Sequence, residues 1–382
     1  AAKAGHNAIM TPNPYAYLDQ YQEEPEIAPV TIGGYNTLKK TYSYNPVPDD
    51  ADDLVKKHII GVQGNIWTEY MPSDNNRDYQ AFPRAIAIAE TGWTLNANKN
   101  WNDFCQRMVE DFRRMDVKNI KACRNFFDVN INTHVDESDT LKVILESFYP
   151  NAEIHYTTDG STPTVESALY NRPFTLSGEI EVKAAAFKDG QMLGKVTGKK
   201  LYGNLISGKS FTVTPAIGGA KGDIFGENDV LGTDISTFGL TNGKRGNTAS
   251  MTPWSGFRMD DNCKEMVFIV EFDEPTTVSK VVFGSLYNPA SVILPPSVAT
   301  IETSSDGQKY SKVAEASFKR NYPERGRKAF TDTLAFEPRE VTYLKVTLQN
   351  GGTLRNGIDF VKDPGSKEVV QANLYLDEIE VY

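Results

Sequence analysis

The chain has 382 residues, 40% of them hydrophobic and 24% charged, and a formal net charge of -10. That length exceeds one ordinary core and predicts two to three domains. The acidic balance excludes the basic patches that read nucleic-acid backbones, and no apolar run approaches the roughly 20 residues that span a bilayer. No charged-then-apolar signal segment opens the chain. Cys105, Cys123 and Cys263 lack metal spacing and predict neither a disulfide framework nor a zinc site. His6, His58, His134 and His155 stand singly and read as structural.

Residues 1 to 125 predict strand, loop, strand and two helices. Tyr17-x-Asp19 and Trp67-x-Glu69 each follow a short apolar segment. Residues two apart in a strand face one side, so each pair directs a ring and a carboxylate the same way. Carboxylates accept from sugar hydroxyls, an indole packs on the C–H face of a pyranose, and a phenol donates to a carbonyl oxygen. Along 58–69, Ile60, Val62 and Ile66 point one way and Gln63, Asn65, Trp67 and Glu69 the other, which suits a barrel strand with helices outside and ligand at its upper inner face. Phe82, Ile86, Ala89 and Trp93 predict one stripe of a helix with Pro83 in its first turn, and Arg84 and Glu90 read as a helix-face ion pair or cap. Asn100 predicts the N-cap of a second helix that stacks Phe104, Met108, Phe112 and Met115. A closed eight-stranded barrel needs roughly 250 residues; this region offers two strand–helix units.

From 129 to 203 the pattern turns to short alternating strands. Asp159-Gly160 and Asp189-Gly190 predict tight hairpin turns in a small antiparallel sandwich. A Gly-rich passage from 203 to 226 leads into a larger all-β region, 204–382. Its predicted strands include 266–272, 298–303, 342–348 and 374–382, with a turn at Asp306-Gly307, and they read as a β-sandwich or jelly roll.

Ile9-Met10-Thr11-Pro12, Tyr17-Leu18-Asp19 and Gly61-Val62-Gln63-Gly64-Asn65-Ile66-Trp67-Thr68-Glu69, followed by Phe82-Pro83-Arg84, Ala89-Glu90 and Trp93, resemble the end of the catalytic barrel of family 20 glycoside hydrolases, the β-N-acetylhexosaminidases. Ile154-His155-Tyr156-Thr157-Thr158-Asp159-Gly160-Ser161-Thr162-Pro163 is similar to the C-terminal sandwich domain of such enzymes. Leu240-Thr241-Asn242-Gly243, Trp254-Ser255-Gly256-Phe257, Ser304-Ser305-Asp306-Gly307 and the closing 376–381 resemble a discoidin (factor 5/8 type C) domain, a fold shared with family 32 carbohydrate-binding modules. The resemblance implies a multidomain chain. The last two strand–helix units of an incomplete (β/α)8 TIM barrel (1–125) precede a small Ig-like β-sandwich (129–203) and a discoidin-like β-sandwich (204–382).

The resemblance also implies retaining, substrate-assisted hydrolysis of terminal N-acetylhexosamine residues, in which the substrate's own acetamido oxygen attacks the anomeric carbon. Tyr17 would donate to that oxygen, Asp19 and Glu69 would hold ring hydroxyls, and Trp67 would wall the pocket. The family's acid lies in a Gly-Asp-Glu motif that this sequence lacks; the nearest string is Gly222-Asp223-Ile224. A general acid contributes about 100- to 10,000-fold, so the chain alone is expected to be inactive. The expected partners are N-acetylhexosamine-containing glycans and an N-terminal barrel part of the same protein, in an extracytoplasmic setting. Catalysis needs no cofactor on this reading. The discoidin likeness implies a structural calcium near Asn242, Thr248 and Glu378. The competing reading is a non-catalytic carbohydrate-binding or adhesion module, with Tyr287 and Tyr322 as aromatics for a sugar platform.

Overall fold

A computed structural model describes residues 1–23, 27–217, 238–248, 254–323, 326–355 and 369–382. The part of the Gly-rich passage from 218 to 226, with Gly222-Asp223-Ile224, lies outside them.

In the N-terminal region, strands β1 (Ala8–Met10) and β2 (Ile59–Val62) pair in parallel. Around them lie helices α1 (Asn13–Ala16), α2 (Leu38–Ser43), α3 (Asp53–His58), α4 (Asp74–Ala81), α5 (Arg84–Trp93) and α6 (Trp101–Val117). The Asn100 side chain accepts from the Asp103 N–H at the start of α6, the bond an N-cap makes. Phe104, Met108, Phe112 and Met115 of α6 are buried against Leu38 and Tyr42 of α2, Ala87 of α5 and Phe126. Helix α5 departs from its predicted stripe. Its buried residues are Arg84, Ala87, Ile88 and Thr91, while Trp93 is 89% exposed and Pro83 is the N-cap rather than a first-turn residue. The spacing 84, 87, 88, 91 is itself helical; a charged residue at its head hid it. Ile60 also faces solvent, at 59% exposure, so only Val62 and Ile66 of the predicted apolar side pack, against Ala16, Leu18 and Ile88.

Two sheets form the middle unit. Strands β3 (Val129–Val135), β4 (Leu141–Ser147) and β7 (Phe174–Thr175) make one. The other contains β5 (Glu153–Thr157), β6 (Ala168–Leu169), β8 (Glu179–Lys188), β9 (Gln191–Met192) and β10 (Thr197–Tyr202). Both feed one core that includes Ile131, Val143, Leu145, Val182, Ala184 and Leu201. Asp189 and Gly190, at φ 51° and 75°, make the predicted tight turn between β8 and β9. Asp159-Gly160 does not: it opens the longer β5–β6 connection, and the Gly160 N–H donates to the Glu181 carbonyl at 2.9 Å.

In the C-terminal region, β11 (Thr212–Thr214), β12 (Ser255–Phe257), β13 (Glu265–Tyr287), β14 (Val298–Ser304), β15 (Ser311–Ser317), β16 (Lys328–Gln349) and β19 (Leu374–Val381) form a seven-stranded sheet. Short strands β17 (Thr353–Arg355) and β18 (Val369–Gln371) pair separately. Strands β13 and β16 are far longer than predicted. They pair over two stretches on either side of an irregularity between Glu271 and Thr276, and side chains from both stretches, Phe268 and Leu344 from one and Phe283 and Leu334 from the other, enter one core.

Candidate functional site: a polar rim at parallel strand ends

After β1 the chain makes the single turn α1 and returns to the strand it left. The Asn65 N–H donates to the Ala16 carbonyl at 2.7 Å, and the Leu18 N–H donates to the Asn65 carbonyl at 2.8 Å. Tyr17 and Asn65 therefore bridge in parallel, beyond the β1–β2 pairing. This second contact aligns Tyr17-x-Asp19 with Asn65-x-Trp67-x-Glu69. Gly64 leaves room for this approach: a Cβ there would sit 3.0 Å from the Leu18 side chain, which would have to shift.

Asp19 is 5% exposed and carries the rim's most perturbed carboxylate. Burial pushes its pKa up. Its own N–H, the Arg84 charge and the Trp67 N–H pull it down, while the Glu69 charge adds to the rise. Asp19 Oδ1 is buried with no hydrogen-bond partner among the described residues, leaving an acceptor to offer a ligand hydroxyl. Trp67 is 55% exposed, so its ring is not core, and Glu69 is exposed. The rim thus combines a half-buried phenol, one buried and one exposed carboxylate, and an open indole. Gln63, Asn65 and Thr11 brace it: Gln63 donates to Asn65 Oδ1 at 2.8 Å and Asn65 to Thr11 Oγ1 at 2.7 Å.

Underneath lies a residue whose importance the sequence reading missed. Arg84 is fully buried and donates to the carbonyls of Leu18 (2.6 Å), Gln20 (3.1 Å), Asn36 (2.8 Å) and Gln80 (2.7 Å) and to Gln80 Oε1 (3.1 Å). It is neither a helix-face ion pair nor a cap. Burial lowers its pKa to about 10, which leaves it charged at neutral pH. One guanidinium therefore satisfies the backbone of the segment carrying Asp19. The signal in the sequence was its position, at the head of the apolar stripe Ala87, Ile88 and Thr91. Glu90 instead takes a bidentate pair from Arg107 at 2.7 and 3.0 Å.

The residues expected near a cation lie in the C-terminal region, where the Asn242 carbonyl accepts from Thr133 of β3 at 2.8 Å. Glu378 is fully buried; its Oε1 accepts from the Gly243 N–H at 2.8 Å and its Oε2 has no partner among the described residues. Burial raises its pKa well above the carboxylate range, with backbone N–H groups opposing and the Asp377 charge adding. The orphaned oxygen fits a hard cation ligand. Asn242 is buried with its Oδ1 accepting from the Lys244 N–H at 2.9 Å, and Thr248 is exposed. Among the described residues no three His, Cys, Asp or Glu side chains gather as a metal site. All three cysteines are free. His155 is 7% exposed with Nδ1 against the Ser167 carbonyl at 2.9 Å, a structural histidine.

Residues 1–96 match the family model described as glycosyl hydrolase family 20, catalytic domain, and residues 143–201 match the one described as Fn3 associated. The chain is 34% identical over 188 residues to a β-hexosaminidase of Porphyromonas gingivalis, covering 48% of this chain and 24% of that one. It is 36% identical over 119 residues to a β-hexosaminidase of Akkermansia muciniphila, covering 30% and 23%. Among solved structures, the family 20 exo-β-N-acetylglucosaminidase of Vibrio harveyi in complex with N-acetylglucosamine shares 30% identity at a TM-score of 0.28, covering 32% of this chain and 19% of that one. The N-terminal region of this chain is similar to the catalytic domain of glycosyl hydrolase family 20. The chain spans about a quarter of the length of the curated relatives it matches.

Proposed function

We propose that residues 1–125 are the last two strand–helix units of the catalytic barrel of a β-N-acetylhexosaminidase acting outside the cytoplasm, and that the barrel is completed by a part carrying the Gly-Asp-Glu acid pair. In this reading the chain supplies binding and transition-state contacts. Asp19 and Glu69 accept from ring hydroxyls, Trp67 stacks on the sugar, and Tyr17 donates to the acetamido oxygen as it attacks the anomeric carbon. Terminal N-acetylhexosamine residues then leave glycans with retention. The observation that carries the reading is the unpartnered Asp19 Oδ1 beside the Trp67 N–H and the Glu69 charge, an acceptor held in a partly desolvated rim. The Ig-like and discoidin-like assignments of 129–203 and 204–382 belong to the same proposal, as does a structural calcium at Glu378, with Asn242 and Thr248 on the loop beside it. The calcium would offset the buried charge.

In the complete enzyme, Tyr17→Phe should lower kcat by about 100-fold, the scale of losing one donor to a developing charge. An unchanged rate removes Tyr17 from the mechanism. The 382-residue chain alone should release no 4-nitrophenol from 4-nitrophenyl β-N-acetylglucosaminide.

A second reading, a carbohydrate-binding module, is favoured by one observation. Tyr322 is 38% exposed, whereas Tyr287, expected beside it as a platform aromatic, is buried at 6% and stacks on Tyr322 at 4.6 Å with an 8° interplanar angle, so of the pair only the Tyr322 ring is open to a sugar. Titration calorimetry of the chain with N-acetylglucosamine oligomers separates the two. Heat lost in Tyr322→Ala but kept in Trp67→Ala favours the module.

A further inference from the structure

The segment that carries Asp19 is held from three sides, and one of them is the small sandwich. Arg84 takes the carbonyls of Leu18 and Gln20. Asn125 donates to the Gln22 carbonyl at 2.6 Å, and the Gln22 amide donates to the Tyr79 carbonyl of α4. The Tyr79 hydroxyl donates to Glu23 Oε1, and the other Glu23 oxygen accepts from Lys195 Nζ at 2.9 Å. Lys195 lies between β9 and β10, 172 positions from Glu23 in the chain. We propose that Lys195 is a positioning residue by which the small sandwich fixes the sugar-facing segment 17–23.

The anchor at the other end of Lys195 is equally specific. Its N–H donates to Asp128 Oδ1 at 2.9 Å and its Nζ lies 3.5 Å from Asp128 Oδ2. Gly194 lets the backbones meet, because a Cβ there would fall 2.3 Å from Asp128 Oδ1 and 2.7 Å from the Phe127 carbonyl. The Glu23 and Asp128 side chains are each 11% exposed, so one ammonium balances two carboxylates that water barely reaches. Burial raises the Asp128 pKa, and the Glu23 charge adds to the rise. These groups line a cleft of about 640 Å³ between the helical region and the sandwich. Without Lys195 the two carboxylates repel across that cleft, and Glu23 keeps only Tyr79.

Hydrogen exchange on the 382-residue chain tests this without any sugar. The functional consequence rests on the reading of Tyr17 and Asp19 as sugar ligands, and the mechanical one does not, so failure of the Tyr17→Phe test leaves this one standing. Lys195→Met should speed exchange in residues 17–23 by about tenfold or more, the scale of one lost charged hydrogen bond, with α6 and β13 unchanged. Lys195→Arg should restore the slow rate. Unchanged exchange in 17–23 overturns the proposal, as does a rise that spreads through α6 or one that Arg fails to reverse. If Lys195→Met does not fold, Glu23→Gln removes the same ion pair from the opposite side and should give the same local acceleration.

Discussion

The two ends of this molecule bury different things. The N-terminal region pairs two strands of three and four residues and fills the space beneath its rim with polar groups: Asp19, Gln20, Gln22, Asn36, Gln80 and Arg84 are all buried. The C-terminal region buries a continuous apolar core beneath strands of up to 23 residues. Apolar burial stabilises without direction, whereas buried polar groups must each find a partner and so specify one geometry. Within the polar region Asp19 Oδ1 is left with no partner among the described residues, as is Glu378 Oε2 in the C-terminal region.

The sharpest way to break the contrast is Arg84→Met. It keeps the volume and strands five acceptors, so it should cost about 3–5 kcal/mol, read as early loss of the N-terminal transition in urea with the C-terminal transition unmoved. If both transitions shift together, the two regions are one cooperative unit. Leu344→Ala should do the converse, destabilising only the C-terminal transition by about 2–5 kcal/mol through the cavity it leaves.

The third test concerns a place where the C-terminal region, like the N-terminal one, buries charged groups. Asp377 is buried and its pKa is raised to about 7 by burial, against the Gly246 and Glu378 N–H groups. For an acid raised in the folded state, the folded form binds more protons between pH 3.8 and about 7, so stability falls as pH rises through that window. Asp377→Asn should flatten that slope in thermal melts from pH 4 to 8. An unaltered slope assigns it to other groups.

What could be read from the sequence followed the same division. The α6 stripe, the β8–β9 turn and strands such as 298–303 were legible because apolar periodicity is a local signal. The continuity of β13 was not, since the predicted strand stops at 272 whereas Asp273-Glu274-Pro275 forms an irregularity inside a paired strand. Asp159-Gly160 misled for the opposite reason: the dipeptide is right for a hairpin, but the next strand to pair begins only at Ala168. The alignment of Tyr17-x-Asp19 with Trp67-x-Glu69 at neighbouring strand ends was legible from their spacing. Their support was not, because Arg84, Gln80 and Lys195 act on backbone and side-chain atoms distant in sequence, and a single chain carries no record of such meetings.

Strand β19 lies in the interior of the large sheet, between β12 and β13, and all eight of its residues are buried. It is also the last of this sheet's described strands in chain order. Strand β13 leaves the ribosome about ninety residues earlier, with an edge that nothing yet covers, and it must wait there beside a half-built core. A chain interrupted anywhere between residues 288 and 373 therefore leaves the β13 edge open to strands of other molecules.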